Sequence, residues 1–158
     1  MIEGKKIYLT QEGLERLKNE ARNLGEFKLL KTKNEVPKIL QSEDLNPEYL
    51  SFQEDLSLLE ARLADLGYII KNAEVIKMPP KEKQNIISLG ATVVVEVDGQ
   101  EDEFEIVGSL EANPSIGRIS NESPVGKALL GHEVREEIVI SSPVKTVYKI
   151  KDIKYHVA

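Results

Sequence analysis

Three carboxylates crowd around an Asn-Pro pair in the segment SEDLNPEYLSF, which runs from residue 42 to residue 52. They belong to Glu43, Asp44 and Glu48. Carboxylates supply the hard oxygen ligands that ions such as Mg²⁺ prefer. Most charge runs, however, are solvated surface. The segment is therefore either the working part of the molecule or an ordinary acidic turn between two helices.

Residue types elsewhere in the chain exclude several kinds of chemistry. The 158 residues include no cysteine, and the two histidines, His132 and His156, lie far apart. A disulfide framework and a thiolate metal site are thereby excluded, and no zinc site is expected. The N-terminus lacks the apolar segment of a signal peptide, and no apolar stretch approaches the roughly 20 residues of a membrane span. We therefore expect a cytosolic protein that has no contact with membranes.

Charge is distributed unevenly along the chain, whose net charge is −6. Residues 41–66 contain seven acidic residues and one basic residue, whereas the stretch just before them is rich in lysine. The lysines of that stretch are Lys28, Lys31, Lys33 and Lys38. A basic stretch that leads into an acidic one differs from the broadly basic footprint of a protein that binds a DNA groove.

A heptad pattern follows the acidic segment directly. Asn46 is a suitable N-cap, Pro47 suits the first helical position, and Glu48 lies in the first turn, where the helix dipole favours an anion. The pattern predicts a helix from about Pro47 to about Asn72. Its apolar residues alternate at steps of three and four: Tyr49, Phe52, Leu56, Leu59, Leu63, Leu66 and Ile70.

An earlier helix carries a matching pattern. It is predicted to begin after Thr10, an N-cap candidate, and its apolar seam continues through Leu14, Leu17, Ala21 and Leu24. The pattern breaks at Gly25 and at Pro37, and proline within a helix produces a kink. Two helices with matching seams and a short connection form an antiparallel hairpin, which places residues 43–46 at its tip.

Strand patterns replace the helical ones after Met78. The stretch GATVVVEVDGQEDEFEIVG contains two alternating runs around Asp98-Gly99, which is a strong signal for a β-hairpin. In SPVGKALLG, Ser123 is expected to cap a short helix that begins at Pro124 and stops at Gly131. The sequence therefore predicts an α+β protein. A helical coiled-coil hairpin occupies residues 1–77, and a small, mostly antiparallel β domain with one short helix occupies residues 78–158.

Several motifs point to one family. They are LTQEGLERL near the start, the DLNPEY of the tip, NAEVI at the end of the hairpin, GATVVVEV in the first long strand, and ISNESPVGKALLG in the second domain. In these motifs the chain resembles the Gre transcript-cleavage factors of bacterial RNA polymerase along essentially its whole length.

This resemblance implies a mode of action. In the family the coiled-coil hairpin enters the secondary channel of the polymerase, while the C-terminal domain, which is similar to the FKBP fold, docks on the rim. Two acidic tip residues help to hold the second Mg²⁺ of the polymerase active site, where backtracked RNA is hydrolysed. The implied protein is a cytoplasmic, DNA-associated elongation factor and a monomer. It has no cofactor of its own, and its partners are the polymerase, the RNA 3′ end and the DNA of the elongation complex. It stimulates the nuclease activity of the polymerase and does not catalyse by itself.

The tip departs from the family pattern. The family reads Asp-Leu-x-Glu-Asn-Ala-Glu-Tyr, and the first Asp and first Glu are the active pair. Asp44 matches that Asp, and Glu48 matches the second Glu, so the active Glu and the residue before it are deleted here. By this resemblance Asp44 is the principal site residue, and Glu43 or Glu48 stands in for the missing acid. Two further departures are Gln53, where the family has Arg, and Arg135-Glu136, where it commonly has Gly-Asp.

The resemblance also assigns two surfaces. Lys28, Lys31, Lys33 and Lys38 correspond to the basic patch near the RNA end, although they could equally form a solvated helix face. Glu122, Ser123 and Pro124 fall where the family contacts the polymerase, although capping also explains the last two.

Three other functions stay open at this point. A Gre-like factor could occupy the channel without stimulating cleavage, or could inhibit synthesis, and the missing tip Glu favours this possibility. The FKBP-like domain suggests a prolyl isomerase or chaperone, although few aromatic residues are available for the pocket walls. A plain coiled-coil adaptor is the third alternative.

Overall fold

A computed structural model describes residues 6–34, 47–141 and 144–156 of the chain. These residues form two compact units. Leu14–Ala73 belong to the first unit, and Lys6–Gly13 belong to the second together with the residues from Glu74 onward. The first unit is helical and the second is built around a β-sheet, so the predicted α+β class is confirmed.

In the described residues, the first unit consists mainly of two long helices, the first of which begins in the second unit. Helix α1 spans Gln11–Asn34 and helix α2 spans Pro47–Asn72, which are the bounds predicted for the second helix. Every residue of the predicted α2 seam is buried or half-buried, and Phe52 and Leu66 are the fully buried ones. The apolar stripe at steps of three and four therefore faces inward, as the pattern predicts.

Interhelical contacts give the direction of the pairing. Residues that lie progressively later in α1 contact residues that lie progressively earlier in α2: Glu20 with Arg62, Lys28 with Glu60 and Lys31 with Asp55. The two helices are therefore antiparallel, as the hairpin requires.

Helix α1 does not end at Gly25, where the apolar pattern breaks. It continues unbroken to Asn34. Glycine costs about 1 kcal/mol relative to alanine within a helix, which is too little to end a helix that packs against a partner. The predicted kink at Pro37 lies outside the described residues.

Short strands open and close the hairpin segment. Strand β1 (Ile7–Leu9) pairs with strand β2 (Ala73–Val75) in a two-stranded sheet. The amide of Ile76 donates to the carbonyl of Leu9 at 2.8 Å and extends this pairing. These strands are three residues long, which is too short for an alternating pattern to identify them in the sequence.

A five-stranded sheet forms the second unit. Its strands are β3 (Ala91–Val97), β4 (Gln100–Val107), β5 (Arg118–Ser120), β6 (Glu137–Ile140) and β7 (Thr146–Tyr155), in the order β5-β4-β3-β7-β6. Neighbouring strands are antiparallel except for β4 and β5, which are parallel. The turn between β3 and β4 is the predicted Asp98-Gly99, and both residues have a positive φ, as a primed hairpin turn requires.

The core of this unit lies between the sheet and helix α3 (Pro124–Leu129). Strand β6 shows the alternation clearly, because Ile138 and Ile140 are buried while Glu137 and Val139 are exposed. Within the described part of this unit, three single-turn 3₁₀ helices connect the strands, at Lys81–Lys83, Ser109–Glu111 and Pro114–Ile116. The buried core consists of Ile87, Ala91, Val93, Val95, Ile106, Ile119, Leu129, Ile138, Ile140 and Ile150.

Candidate functional site

The structure describes only one of the three carboxylates of the predicted acidic tip. Glu43 and Asp44 lie outside the described residues, while Glu48 lies in the first turn of α2 and is exposed. An exposed carboxylate at this position lies near the positive end of the helix dipole and is accessible to solvent. Among the described residues no group of three or more His, Cys, Asp or Glu side chains could hold a metal ion.

Two of the predicted basic-patch lysines lie in the seam of the hairpin. Lys28 and Lys31 follow Leu24 at heptad spacing, and their ammonium groups lie 3.3 Å from Glu60 and 3.5 Å from Asp55. Lys33 is exposed, and Lys38 lies outside the described residues. The structure therefore does not gather the four lysines on one described face. Their role toward RNA stays a prediction.

Lys31 is the more enclosed of the two seam lysines. Only 11% of its side chain is exposed, and its ammonium lies 5.9 Å and 5.5 Å from the ring centres of Phe27 and Phe52. Its partner Asp55 remains 58% exposed. Contacts with two aromatic rings and one carboxylate compensate for the partial loss of water around the charge.

The predicted docking segment forms the turn between β5 and α3. Ser123 caps α3, because its Oγ accepts the amide of Gly126 at 3.1 Å. The same hydroxyl donates to the carbonyl of Ser120 at 2.7 Å, and Pro124 occupies the first turn. Capping by Ser123 is thus confirmed, while contact with a polymerase stays a prediction.

Close packing against Ser120 explains why the SPVG part of the motif has glycine at position 126. A Cβ atom at this position would lie 2.0 Å from the carbonyl oxygen of Ser120, a distance at which atoms overlap. Gly131 then ends the helical segment with a φ of 86°, as predicted. The motif therefore encodes a tightly folded turn that presents Glu122, Ser123 and Pro124 at the start of α3.

Glu122 is held by side chains from two elements. Its carboxylate Oε2 accepts from the hydroxyl of Ser109 at 3.0 Å, and its amide donates to the hydroxyl of Ser120 at 3.0 Å. The two serine hydroxyls are themselves 2.9 Å apart. The sequence did not indicate Ser109, because it precedes Glu122 by 13 residues and lies in a 3₁₀ turn that has no recognisable pattern.

A second polar cluster fixes the start of α1 within the sheet unit. Glu111 accepts from the amide and the hydroxyl of Thr10 at 2.7 Å and 2.6 Å, and only 8% of its side chain is exposed. The hydroxyl of Thr10 also accepts the amide of Gly13 at 3.0 Å, as expected of an N-cap. Arg118 lies 3.8 Å from the Glu111 carboxylate. The capping role of Thr10 could be predicted locally, but its partner 101 residues away could not.

Exposed ion pairs shift the pKa values of their members. The hydrogen bond from Arg62 lowers the pKa of Glu20, and the same bond raises the pKa of Arg62. Between β3 and β7, the hydrogen bond from Lys151 lowers the pKa of Glu96 in the same way. These carboxylates are ionised at neutral pH and act as structural partners.

Two family models match the chain, one in each half. A model described as transcription elongation factor, N-terminal, matches residues 7–75, and one described as transcription elongation factor, GreA/GreB, C-term, matches residues 81–155. No helix in the described part of the chain is long and apolar enough to cross a membrane.

Individual proteins are similar over most of the chain. The chain is 35% identical over 144 residues to transcription elongation factor GreA of Thermomicrobium roseum, which covers 90% of this chain and 92% of that protein. It is 39% identical over 147 residues to the GreA of Shouchella clausii, again covering 90% and 92%. The crystal structure of GreA factor homolog 1 of Thermus thermophilus is similar at 27% identity and a TM-score of 0.42, covering 95% of this chain and 99% of that one.

Proposed function

The chain belongs to the GreA/GreB family of transcription elongation factors, and we propose that it binds bacterial RNA polymerase through the secondary channel and stimulates cleavage of backtracked RNA. In this proposal the polymerase carries out the hydrolysis, and the chain is not an enzyme by itself. It acts in the cytoplasm as a monomer, next to the RNA 3′ end and the DNA of the elongation complex.

The hairpin is the observation that carries the proposal. Helix α2 has 26 residues, which corresponds to about 39 Å at 1.5 Å per residue. Two antiparallel helices are slender enough to enter a channel that would exclude a globular surface. Glu48 lies in the first turn of α2, close in sequence to the two tip carboxylates outside the described residues.

Carboxylates are suited to the chemistry proposed for this end. When bound, the second Mg²⁺ of the polymerase active site supplies an activated water for hydrolysis. Asp44, which aligns with the acid of the family, is proposed to contribute one oxygen ligand, and Glu43 or Glu48 contributes another in place of the deleted acid. An imperfect second ligand gives cleavage that is weaker and more dependent on Mg²⁺ concentration than with the full pair.

Two other surfaces contribute to the proposed complex. The turn that contains Glu122, Ser123 and Pro124 is proposed to contact the polymerase, and its internal hydrogen bonds support a fixed shape for that contact. The four lysines are proposed to lie near the RNA. Among the described ones Lys33 is the exposed member, and Lys28 and Lys31 also serve the hairpin by pairing with α2.

A second candidate function is a Gre-like factor that occupies the channel without stimulating cleavage, or that inhibits synthesis. The deleted tip acid favours it, because one fewer carboxylate leaves the ion held mainly by water and by polymerase groups. No observation on the described residues favours the isomerase or the adaptor alternative.

A cleavage assay on a backtracked elongation complex tests the proposal. The complex is assembled with the polymerase of the same organism and 5′-labelled RNA, and shortening of the RNA is followed with and without the factor across a range of Mg²⁺ concentrations. A GreA that carries the full acidic pair serves as the positive control. The proposal expects stimulation that is weaker than in the control and that rises more steeply with Mg²⁺.

Binding is measured in parallel by displacing the positive control from the polymerase. Tight binding without stimulation at any Mg²⁺ concentration would replace the cleavage proposal with the non-cleaving one. If neither binding nor stimulation is seen while the factor is folded, both candidates are wrong.

A further inference from the structure

The hydrogen bonds around Glu122 form a closed ring. The ring runs from the amide of Glu122 to the hydroxyl of Ser120, from there to the hydroxyl of Ser109, and from Ser109 back to the carboxylate of Glu122. Its three distances are 3.0, 2.9 and 3.0 Å. It therefore begins and ends on the same residue.

The direction of every bond in the ring follows from its two ends. An amide can only donate, and an ionised carboxylate can only accept. Ser120 must therefore accept from the amide and donate its own hydrogen to Ser109, and Ser109 must donate to the carboxylate. Each hydroxyl acts once as donor and once as acceptor, and bonds aligned in this way strengthen one another.

The ring fixes the side chain of Glu122 relative to its own backbone. A glutamate on a surface turn ordinarily samples many rotamers, and ordering such a side chain at an interface opposes binding. In the unbound factor, the ring of hydrogen bonds already orders the Glu122 side chain. Residues Glu122 to Pro124 then present one charge in one position beside the capped start of α3.

We propose that Ser109 is a positioning residue of the polymerase-docking surface, which holds the Glu122 carboxylate in the orientation in which the polymerase meets it. This inference rests on the proposed docking through Glu122, Ser123 and Pro124. Ser109 comes from a different element, the 3₁₀ helix Ser109–Glu111, so the surface extends beyond the sequence motif.

Ser109 is also the member of the ring that can be altered without disturbing the fold. The backbone of Ser120 packs closely against Gly126, and the carbonyl of Ser120 accepts a hydrogen bond from the hydroxyl of Ser123. A substitution of Ser120 would therefore affect the cap of α3. Ser109 is exposed. Removing its hydroxyl should therefore leave the turn folded and remove one hydrogen bond to the carboxylate.

A double-mutant cycle with Glu122 tests the proposal. Ser109→Ala, Glu122→Ala and the double variant are compared for affinity to the polymerase by fluorescence anisotropy of the labelled full-length factor. We expect Ser109→Ala to weaken binding about threefold to tenfold, as for the loss of one side-chain ordering step. In the Glu122→Ala background the same change should have no effect, because Ser109 then has no carboxylate to hold.

Two further variants control for structural effects. Ser109→Thr keeps the hydroxyl and should bind within twofold of the natural protein. Ser115→Ala removes an exposed hydroxyl in the next 3₁₀ helix, where Ser115 donates to Asn113, and it should leave affinity unchanged. Melting temperatures of all variants are compared, and a merely structural role of Ser109 would lower stability and affinity equally in both backgrounds.

The possible failures are distinguishable. If Glu122→Ala itself leaves affinity unchanged, the docking surface is wrong and the positioning role falls with it. If Glu122→Ala weakens binding but Ser109→Ala does not, or if the effect of Ser109→Ala persists in the double variant, the positioning role alone is overturned.

Discussion

Alanine at two glycines of the same helix should change stability in opposite directions. Gly13 and Gly25 both lie in α1. A Cβ atom at Gly13 would lie 2.2 Å from Oε1 of Glu111, whereas one at Gly25 would meet nothing within 4 Å. Gly13→Ala must therefore displace the carboxylate that binds Thr10, while Gly25→Ala displaces nothing.

The magnitudes follow from the contacts that change. Alanine is favoured over glycine in a helix by about 0.8–1.0 kcal/mol, so Gly25→Ala should raise the free energy of unfolding by up to that amount. At Gly13 the same gain is opposed by the loss of two hydrogen bonds to a charged group, each worth about 1.5–3 kcal/mol. Because the displaced carboxylate regains water, we expect a net loss of about 1–2 kcal/mol.

Urea unfolding followed by circular dichroism measures both changes. The Gly13→Ala substitution is repeated in a Glu111→Ala background, where the carboxylate clash is removed and the Thr10 hydroxyl, 3.1 Å from the added Cβ atom, is the remaining close neighbour. There the alanine should destabilise much less. Glu137→Gln, at an exposed glutamate of β6, serves as the control for loss of a carboxylate. If Gly13→Ala stabilises the natural protein as Gly25→Ala does, the part-buried contact between Glu111 and Thr10 does not hold the start of α1.

Three further predictions concern the hairpin and the docking turn. Lys31→Met keeps an apolar stem near the rings of Phe27 and Phe52 and leaves the exposed carboxylate of Asp55 without this ammonium group. The free energy of unfolding should therefore stay within about 1 kcal/mol of the natural value and become less dependent on salt. A loss above about 2 kcal/mol in urea unfolding would contradict this. The hydrogen bond from Arg62 lowers the pKa of Glu20, so the pair stabilises the hairpin at neutral pH by about 0.5 kcal/mol and loses this contribution as pH falls through the lowered pKa. Glu20→Gln should remove this acid-dependent part from the pH dependence of the free energy of unfolding. An unchanged pH dependence would refute the prediction. Glu122→Lys combined with Pro124→Ala should weaken polymerase binding at least tenfold while the β-sheet stays folded by circular dichroism, and unchanged affinity would exclude this surface.

Features encoded by neighbouring residues could be predicted from the sequence. The bounds of α2, the Asp98-Gly99 turn and the cap at Ser123 all depend on residues a few positions apart, and all three are confirmed. The GreA/GreB family could also be identified from such local motifs, and the family models confirm it.

Features that depend on distant pairing could not be predicted. The contact between Thr10 and Glu111 joins residues 101 positions apart, and the parallel pairing of β4 with β5 has no signature in either strand. Lys28 and Lys31 show a different difficulty. Their heptad spacing after Leu24 places them in the seam, but their charge suggested a solvated or RNA-facing surface.

The tip can be tested directly by one measurement, the rate of RNA cleavage in a backtracked complex with the natural factor and with Asp44→Asn. The substitution keeps the shape of the side chain and removes its charge, so the variant should bind the polymerase as tightly as the natural protein. We expect the natural factor to stimulate cleavage and Asp44→Asn to abolish stimulation, while an excess of the variant suppresses the natural factor by competing for the channel. Equal cleavage rates with the two proteins would contradict the proposed role of Asp44 and of the acidic tip.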